Sequence, residues 1–271
     1  MTHARVLIVA GSDSGGGAGI QADIKAVTAL RGYAMTAITA LTAQNTLGVQ
    51  DVFPIPSAFI AEQMRSVLGD IGADCIKTGM LHDAPVIETV AEMLESMAPA
   101  VPLVVDPVMV AQSGDRLLQT AAVEALRTRL VPRASLVTPN IPEAEVLLER
   151  RIHDEADQIA AAEALLALGC GAVLVKGGHA AGETITDVLA TPTGTECLRQ
   201  PRIATECTHG TGCTLASAIA AGVARGMDLA AAVARARRYL QRALVTATPL
   251  GGGHGPVNHI HTVSEFDGNS A

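Results

Sequence analysis

The stretch Ala4–Leu30, ARVLIVAGSDSGGGAGIQADIKAVTAL, contains a strand, a loop and a helix in that order. Ala4–Ala10 is a short apolar run, as expected of a parallel strand buried on both faces. Gly11–Gly19 follows as a glycine-rich turn. Ile20–Leu30 then places Ile20, Ile24 and Val27 on one helical face. A strand passing through a glycine loop into a helix is the opening unit of an α/β sheet with right-handed crossovers.

The same alternation continues outward. Further strands are predicted at Ala34–Ala43, Asp74–Thr78, Pro102–Asp106, Ser135–Thr138 and Ala172–Lys176. Helices are predicted at Ser57–Leu68, Asp83–Met97, Thr120–Leu130, Ile141–Leu148 and Asp154–Leu168, the last stopped by Gly169. Beyond Lys176 the pattern changes to an antiparallel ribbon, Thr184–Ala190 and Thr195–Ile203, turning near Pro192 and Gly194. Two Ala-rich helices, Gly212–Arg225 and Leu229–Thr246, complete the order. No linker or repeat divides the chain, so residues 1–266 are expected to form a single domain, with 267–271 as a frayed tail.

Composition narrows the function. Of 271 residues, 49% are hydrophobic and only 2% aromatic, so Ala, Val, Leu and Ile must build the core. A formal net charge of -8 repels a phosphate backbone, which argues against a nucleic-acid partner. A small anion can still bind where helix N-termini and a few cations converge. The five cysteines form no CxxC pair, so neither a disulfide framework nor a zinc site is suggested, and a reducing cytoplasm fits. No signal-peptide core opens the sequence, and no apolar run is long enough to span a membrane.

Polar and glycine clusters fall at the carboxyl ends of the strands, where open α/β sheets gather ligands. They are Gly11–Gly19, Gln44–Asn45, Thr78–Met80, Asp106–Val108, Thr138–Asn140 with Glu143, and Lys176–His179. GSDSGGGAG lacks the Lys-Ser/Thr of a Walker loop and the GxGxxG spacing, which lowers the case for a P-loop NTPase or a hydride-transferring enzyme. Most informative is Cys207-Thr208-His209-Gly210-Thr211-Gly212-Cys213, leading straight into a helix. Small residues there let backbone N–H groups turn inward beside the positive helix end, an anion hole suited to a transferring phosphoryl group. An ordinary loop-to-helix entry would have the same spacing.

At these residues the chain resembles the ribokinase-like superfamily, whose motif usually reads DTxGAGD. Within it, the chain resembles the hydroxymethylpyrimidine/phosphomethylpyrimidine kinase family of thiamine biosynthesis. The matching segments are AGSDSGGGAGIQADIKA, TALTAQNTLGV, KTGML, DPVM, TPNIPEAE, VLVKGGH, THGTGC and GGGHGPVNH, in the family's order. The resemblance implies a three-layer α/β/α sandwich with a mostly parallel central sheet. It also implies ATP with Mg2+, a pyrimidine substrate and a homodimer. It places Gly11, Ala18, Asp23, Gln44, Met80 and Val108 around the pyrimidine, with Gln44 reading the aminopyrimidine edge. It gives Lys176, Asn140, Glu143, Thr208 and Gly210 to the nucleotide phosphates. Gly210, Thr211, Gly212, Cys213 and Lys176 fall to transfer, and Asp106 and Glu143 to the metal, through water. Asp106 has a second reading as a turn cap before Pro107, and Glu143 as a helix first-turn acid.

Cys213 stands where most of the superfamily has an aspartate base. A thiol at a helix N-terminus can have a lowered pKa, so a thiolate base is an expectation here. His209, inside the same turn, reads as a phosphate neutraliser or as packing. Two rival functions stay open, pyridoxine/pyridoxal kinase and a non-catalytic ligand-binding protein on the same fold.

Overall fold

The computed structural model describes residues 4–109, 120–180 and 182–265. In chain order the first half runs β1 (Ala4–Ala10), α1 (Gly19–Ala29), β2 (Gly32–Ile38), β3 (Ala40–Asn45), β4 (Gly48–Pro54), α2 (Ser57–Asp70), β5 (Cys75–Thr78) and α3 (Ala84–Met97). The second half runs β6 (Leu103–Val105), α4 (Thr120–Ala125), β7 (Leu136–Val137), α5 (Ile141–Leu148), α6 (Glu155–Leu166), β8 (Val173–Val175), β9 (Thr184–Thr191), β10 (Gly194–Pro201), α7 (Thr211–Val223) and α8 (Leu229–Val245). A wider π-helical turn, Leu126–Leu130, continues α4. The expected tail, Asp267–Ala271, lies outside the described residues.

Eight strands form one sheet in the order β10-β9-β8-β7-β6-β5-β1-β2. The pairs from β2 to β8 are parallel, and β9 and β10 close the far edge as an antiparallel ribbon. Alternate strand residues feed two cores. Leu7, Val9, Ile76 and Val105 pack under α2 to α6. Val6, Ile8, Val104 and Leu174 pack under α1, α7 and α8, whose Ala-rich surfaces let the helices lie close to the sheet. This is the expected three-layer α/β/α sandwich.

Two local expectations fail. The run Ala34–Ala43 is not one strand. It breaks at buried Thr39, whose N–H donates to the Ala10 carbonyl at 3.1 Å and whose hydroxyl donates to the Met80 carbonyl at 2.7 Å. The chain then leaves the sheet as a separate β3–β4 hairpin. On α1, Ile24 is exposed, and Asp23 takes the inward position beside Ile20 and Val27. Lys77, reaching across from β5, draws that carboxylate inward.

β1 lies between β2 and β5, so the chain order reverses there, and loops from both sides open into a crevice at the strand ends.

Candidate active site

The crevice is a cavity of about 630 Å³ over the carboxyl ends of β1, β5, β6 and β8. One end is the turn Thr208–Cys213, the transfer turn by resemblance. Gly210 caps α7 at φ +80°, and a Cβ there would sit 1.9 Å from the Gly17 carbonyl oxygen, so only glycine lets the turn press on the Gly11–Gly19 loop. A Cβ on Gly212 would stand 3.3 Å from Lys176 Nζ, so its absence keeps the helix end open to that ammonium. The N–H groups of Gly212 and Cys213 find no backbone acceptor among the described residues, as the first turn of a helix requires. Together with the helix dipole they form a cradle for an anion.

Lys176, just beyond β8, faces this turn. Its Nζ donates to Asp106 Oδ1 at 2.9 Å and lies 3.9 Å from Glu143 Oε2. Thr138 donates to the same Asp106 oxygen at 3.0 Å. Burial works to raise the Asp106 carboxyl, but Lys176 and Lys77 outweigh it and hold it below its usual range. Glu143 goes the other way: burial pushes it up to about 7, against the pull of Lys176 and with a further push from Asp106. Asn140 and Glu143 form a reciprocal capping box at the start of α5, each side chain accepting from the other's N–H at 2.8 Å. The helix-start reading of Glu143 and its place in the cavity wall hold together.

The opposite wall belongs to the substrate end assigned by resemblance. Gly11, Ala18, Gln44, Met80 and Val108 all line it. A bulge between Ala43 and Gln44 shifts the hairpin register, re-aiming Gln44, and the Thr42 hydroxyl holds its Oε1 at 3.1 Å. Thr208, Gly210, Thr211, Gly212, Cys213, Lys176, Asp106, Asn140 and Glu143 line the cavity as well. Asp23 is the exception. It is fully buried behind the wall, paired with Lys77, and does not reach the cavity.

Cys213 also departs from expectation. Burial pushes its thiol up to about 12, although Lys77 pulls it down and the Gly19 N–H donates to the sulfur. Asp23 and Asp106 add to the upward push. The helix end does not offset this, and the thiol is neutral at physiological pH.

Asp13, which the sequence pattern does not single out, completes the site. Asp13 accepts from the N–H groups of Gly15, Gly17 and Ala18 at 2.7–2.9 Å and pairs with His209 Nε2 at 2.8 Å. His209 is thereby committed to joining the glycine loop to the transfer turn. The segment GGGHGPVNH braces the transfer turn and the β3–β4 hairpin: His209 N–H donates to the Gly255 carbonyl, and His254 N–H to that of Thr46. His259 within it, pushed down to about 4 by burial, is neutral and bonded to Tyr239.

A model of the phosphomethylpyrimidine kinase family matches residues 13–258. The chain belongs to that family. Kinase chemistry comes with membership, and the chain is a phosphotransferase. Among its relatives, a hydroxymethylpyrimidine/phosphomethylpyrimidine kinase from Streptomyces coelicolor is 49% identical over 265 residues, 98% of this chain and 97% of its own. Phosphomethylpyrimidine kinase from Clostridium difficile matches in structure with a TM-score of 0.79 at 40% identity, over 88% of this chain and 98% of that one. A pyridoxal kinase from Bacillus subtilis, solved as an ADP complex, matches with a TM-score of 0.89 at 36% identity, over 96% and 98% of the two chains.

Proposed function

We propose that the enzyme transfers the γ-phosphoryl group of ATP to 4-amino-5-hydroxymethyl-2-methylpyrimidine, and then a second one to the monophosphate. The observation that carries this reading is the two-ended cavity. Gln44 and the small or flexible residues Gly11, Ala18 and Met80 bound one end, and the Gly210–Cys213 cradle with Lys176 bounds the other. In the first step the hydroxymethyl oxygen bonds to the γ-phosphorus as the bond to the bridging oxygen breaks. ADP leaves with the electron pair, and the hydroxyl proton passes late to an oxygen of the transferred phosphoryl group. Lys176 and the N–H groups of Gly212 and Cys213 hold the three equatorial oxygens, the main protein contribution in a loose transition state.

Asp106 and Glu143 are two hard carboxylates beside the phosphate cradle, and among the described residues no group of three or more His, Cys, Asp or Glu forms a metal cage. That donor set suits Mg2+, which keeps its waters and shares phosphates with one or two carboxylates. The ion would supply charge neutralisation on the phosphates. ATP use is supported by the ADP complex of the Bacillus relative. The same reading includes a homodimer in the cytoplasm, which light scattering and fractionation would check. No helix among the described residues is long and apolar enough to cross a membrane.

The pyridoxal kinase likeness, at TM-score 0.89, favours a second acceptor for the same site. Competition between the pyrimidine and pyridoxal for ATP-dependent turnover tests the choice. A kcat/KM at least tenfold higher for the pyrimidine is expected, about 1.4 kcal/mol of preference, and the reverse order would overturn it.

A further inference from the structure

Among the described residues, Lys77 is the largest fully buried side chain, and it is a cation. Its Nζ donates to both oxygens of Asp23, at 2.9 and 3.0 Å, and Ser217 donates to Asp23 Oδ1 at 2.6 Å. Asp23 and Ser217 are themselves without exposure. Burial pushes the Asp23 carboxyl up, against the pull of Lys77 and of the Ser217 hydrogen bond. Burial opposes the charge on Lys77, yet Asp23, Cys213 and Asp106 hold its pKa above the ordinary lysine value.

A buried ion pair is a poor way to stabilise a fold, since apolar residues of similar volume commonly do as well or better. The position of this one suggests a different use. Lys77 forms part of the cavity wall beside Gly79, Asp106 and Cys213. A Cβ on Gly79 would sit 3.0 Å from Nζ, so glycine there leaves room for the ammonium just behind the cavity surface, where Lys77 itself has no exposure. An ammonium has three donors, and among the described residues Asp23 alone takes hydrogen bonds from it. α7 carries Cys213 and, one turn on, Ser217, so one helix face ties the Asp23–Lys77 pair to the transfer turn.

We propose that Lys77 is an electrostatic positioning residue of the transfer reaction. Fixed by Asp23 and Ser217, its ammonium keeps the acceptor end of the cavity positive and steadies the attacking oxygen beside Cys213. Lys176 serves the phosphate end, so the two lysines divide the charge of one transition state. The assignment rests on the phosphoryl-transfer reading above.

The test is the double variant Lys77→Met/Asp23→Leu, which removes both charges while keeping apolar volume, alongside Lys77→Arg and Lys77→Gln. The double variant is expected to melt within a few degrees of wild type. Its KM for ATP should stay within about threefold, with kcat for the first phosphorylation down about 100-fold. Lys77→Arg, which keeps the charge, should retain at least about tenfold more kcat than Lys77→Gln. A folded double variant with wild-type kcat overturns the proposal. If the double variant does not fold, equal losses in Lys77→Arg and Lys77→Gln overturn it, and charge-dependent rescue supports it. Wild-type enzyme that phosphorylates neither the pyrimidine nor pyridoxal is a separate result. It would overturn the functional reading, and this assignment with it.

Discussion

Cys213 occupies the end of the transfer turn, but its thiol, pushed up to about 12 by burial, holds its proton at neutral pH. A resting thiolate is therefore not what the site presents. Transfer through a loose transition state depends more on positioning and charge than on a strong base. The second acceptor, a phosphate oxygen, is already ionised and has no proton to lose. With Cys213 a neutral thiol and not the base, Cys213→Ala should change the two phosphorylations by factors within about threefold of each other. Single-turnover assays of the two steps will show this, and a loss at least about tenfold greater in the first step would contradict it. Glu143 gives a pH prediction of its own. Its folded value, about 7, lies above the ordinary 4.5. Between these values the folded chain holds a proton that the unfolded chain has lost, so stability falls as pH rises through the window. Gln at this position keeps the capping box and removes the slope. Without nucleotide, Glu143→Gln should be the more stable protein at pH 8, by on the order of 1–3 kcal/mol, and the two should converge near pH 4.5. Urea melts across that range check the sign.

At the scale of elements, the glycine loop and the start of α7 work as one unit because Asp13 joins them. Asp13→Ala would leave the N–H groups of Gly15, Gly17 and Ala18 without their acceptor and His209 without its partner. A loss on the order of 2–4 kcal/mol is expected, seen as a drop of several degrees in Tm with a raised KM for the acceptor. An unchanged Tm would show that the loop holds itself. The β3–β4 hairpin and the Asp23–Lys77 pair show what sequence patterns conceal. Gly48–Pro54 is largely exposed, interrupts its apolar residues with Gln50 and Asp51 at its centre, and carries no strand-like alternation. Lys77 lies in a strand that reads as apolar, and Asp23 on a helix whose visible stripe ran through Ile24. Each polar residue is inward only because the other is there, a contact across 54 positions that no local period records. The parallel strands and most helix starts were legible for the opposite reason. Their apolar runs are continuous, and Asp83, Asn140, Asp154 and Asp228 cap the helices that follow them.

Across the whole molecule, the reversal of strand order at β1 brings segments from Gly11 to Gly255 around one crevice. The order of the motifs along the chain made their association readable, while their distances came only with the fold. The residues proposed for the phosphates follow β6, β7 and β8 and start α7, and those proposed for the pyrimidine follow β1, β5 and β6 or lie on β3, all lining one cavity. The geometry is that of transfer from one ligand to another within one cavity. The most direct test is product analysis with ATP labelled at the γ-phosphate and the hydroxymethylpyrimidine as acceptor. The account predicts labelled pyrimidine monophosphate first and diphosphate after it. Label released only as inorganic phosphate, with the pyrimidine unmodified, would contradict it.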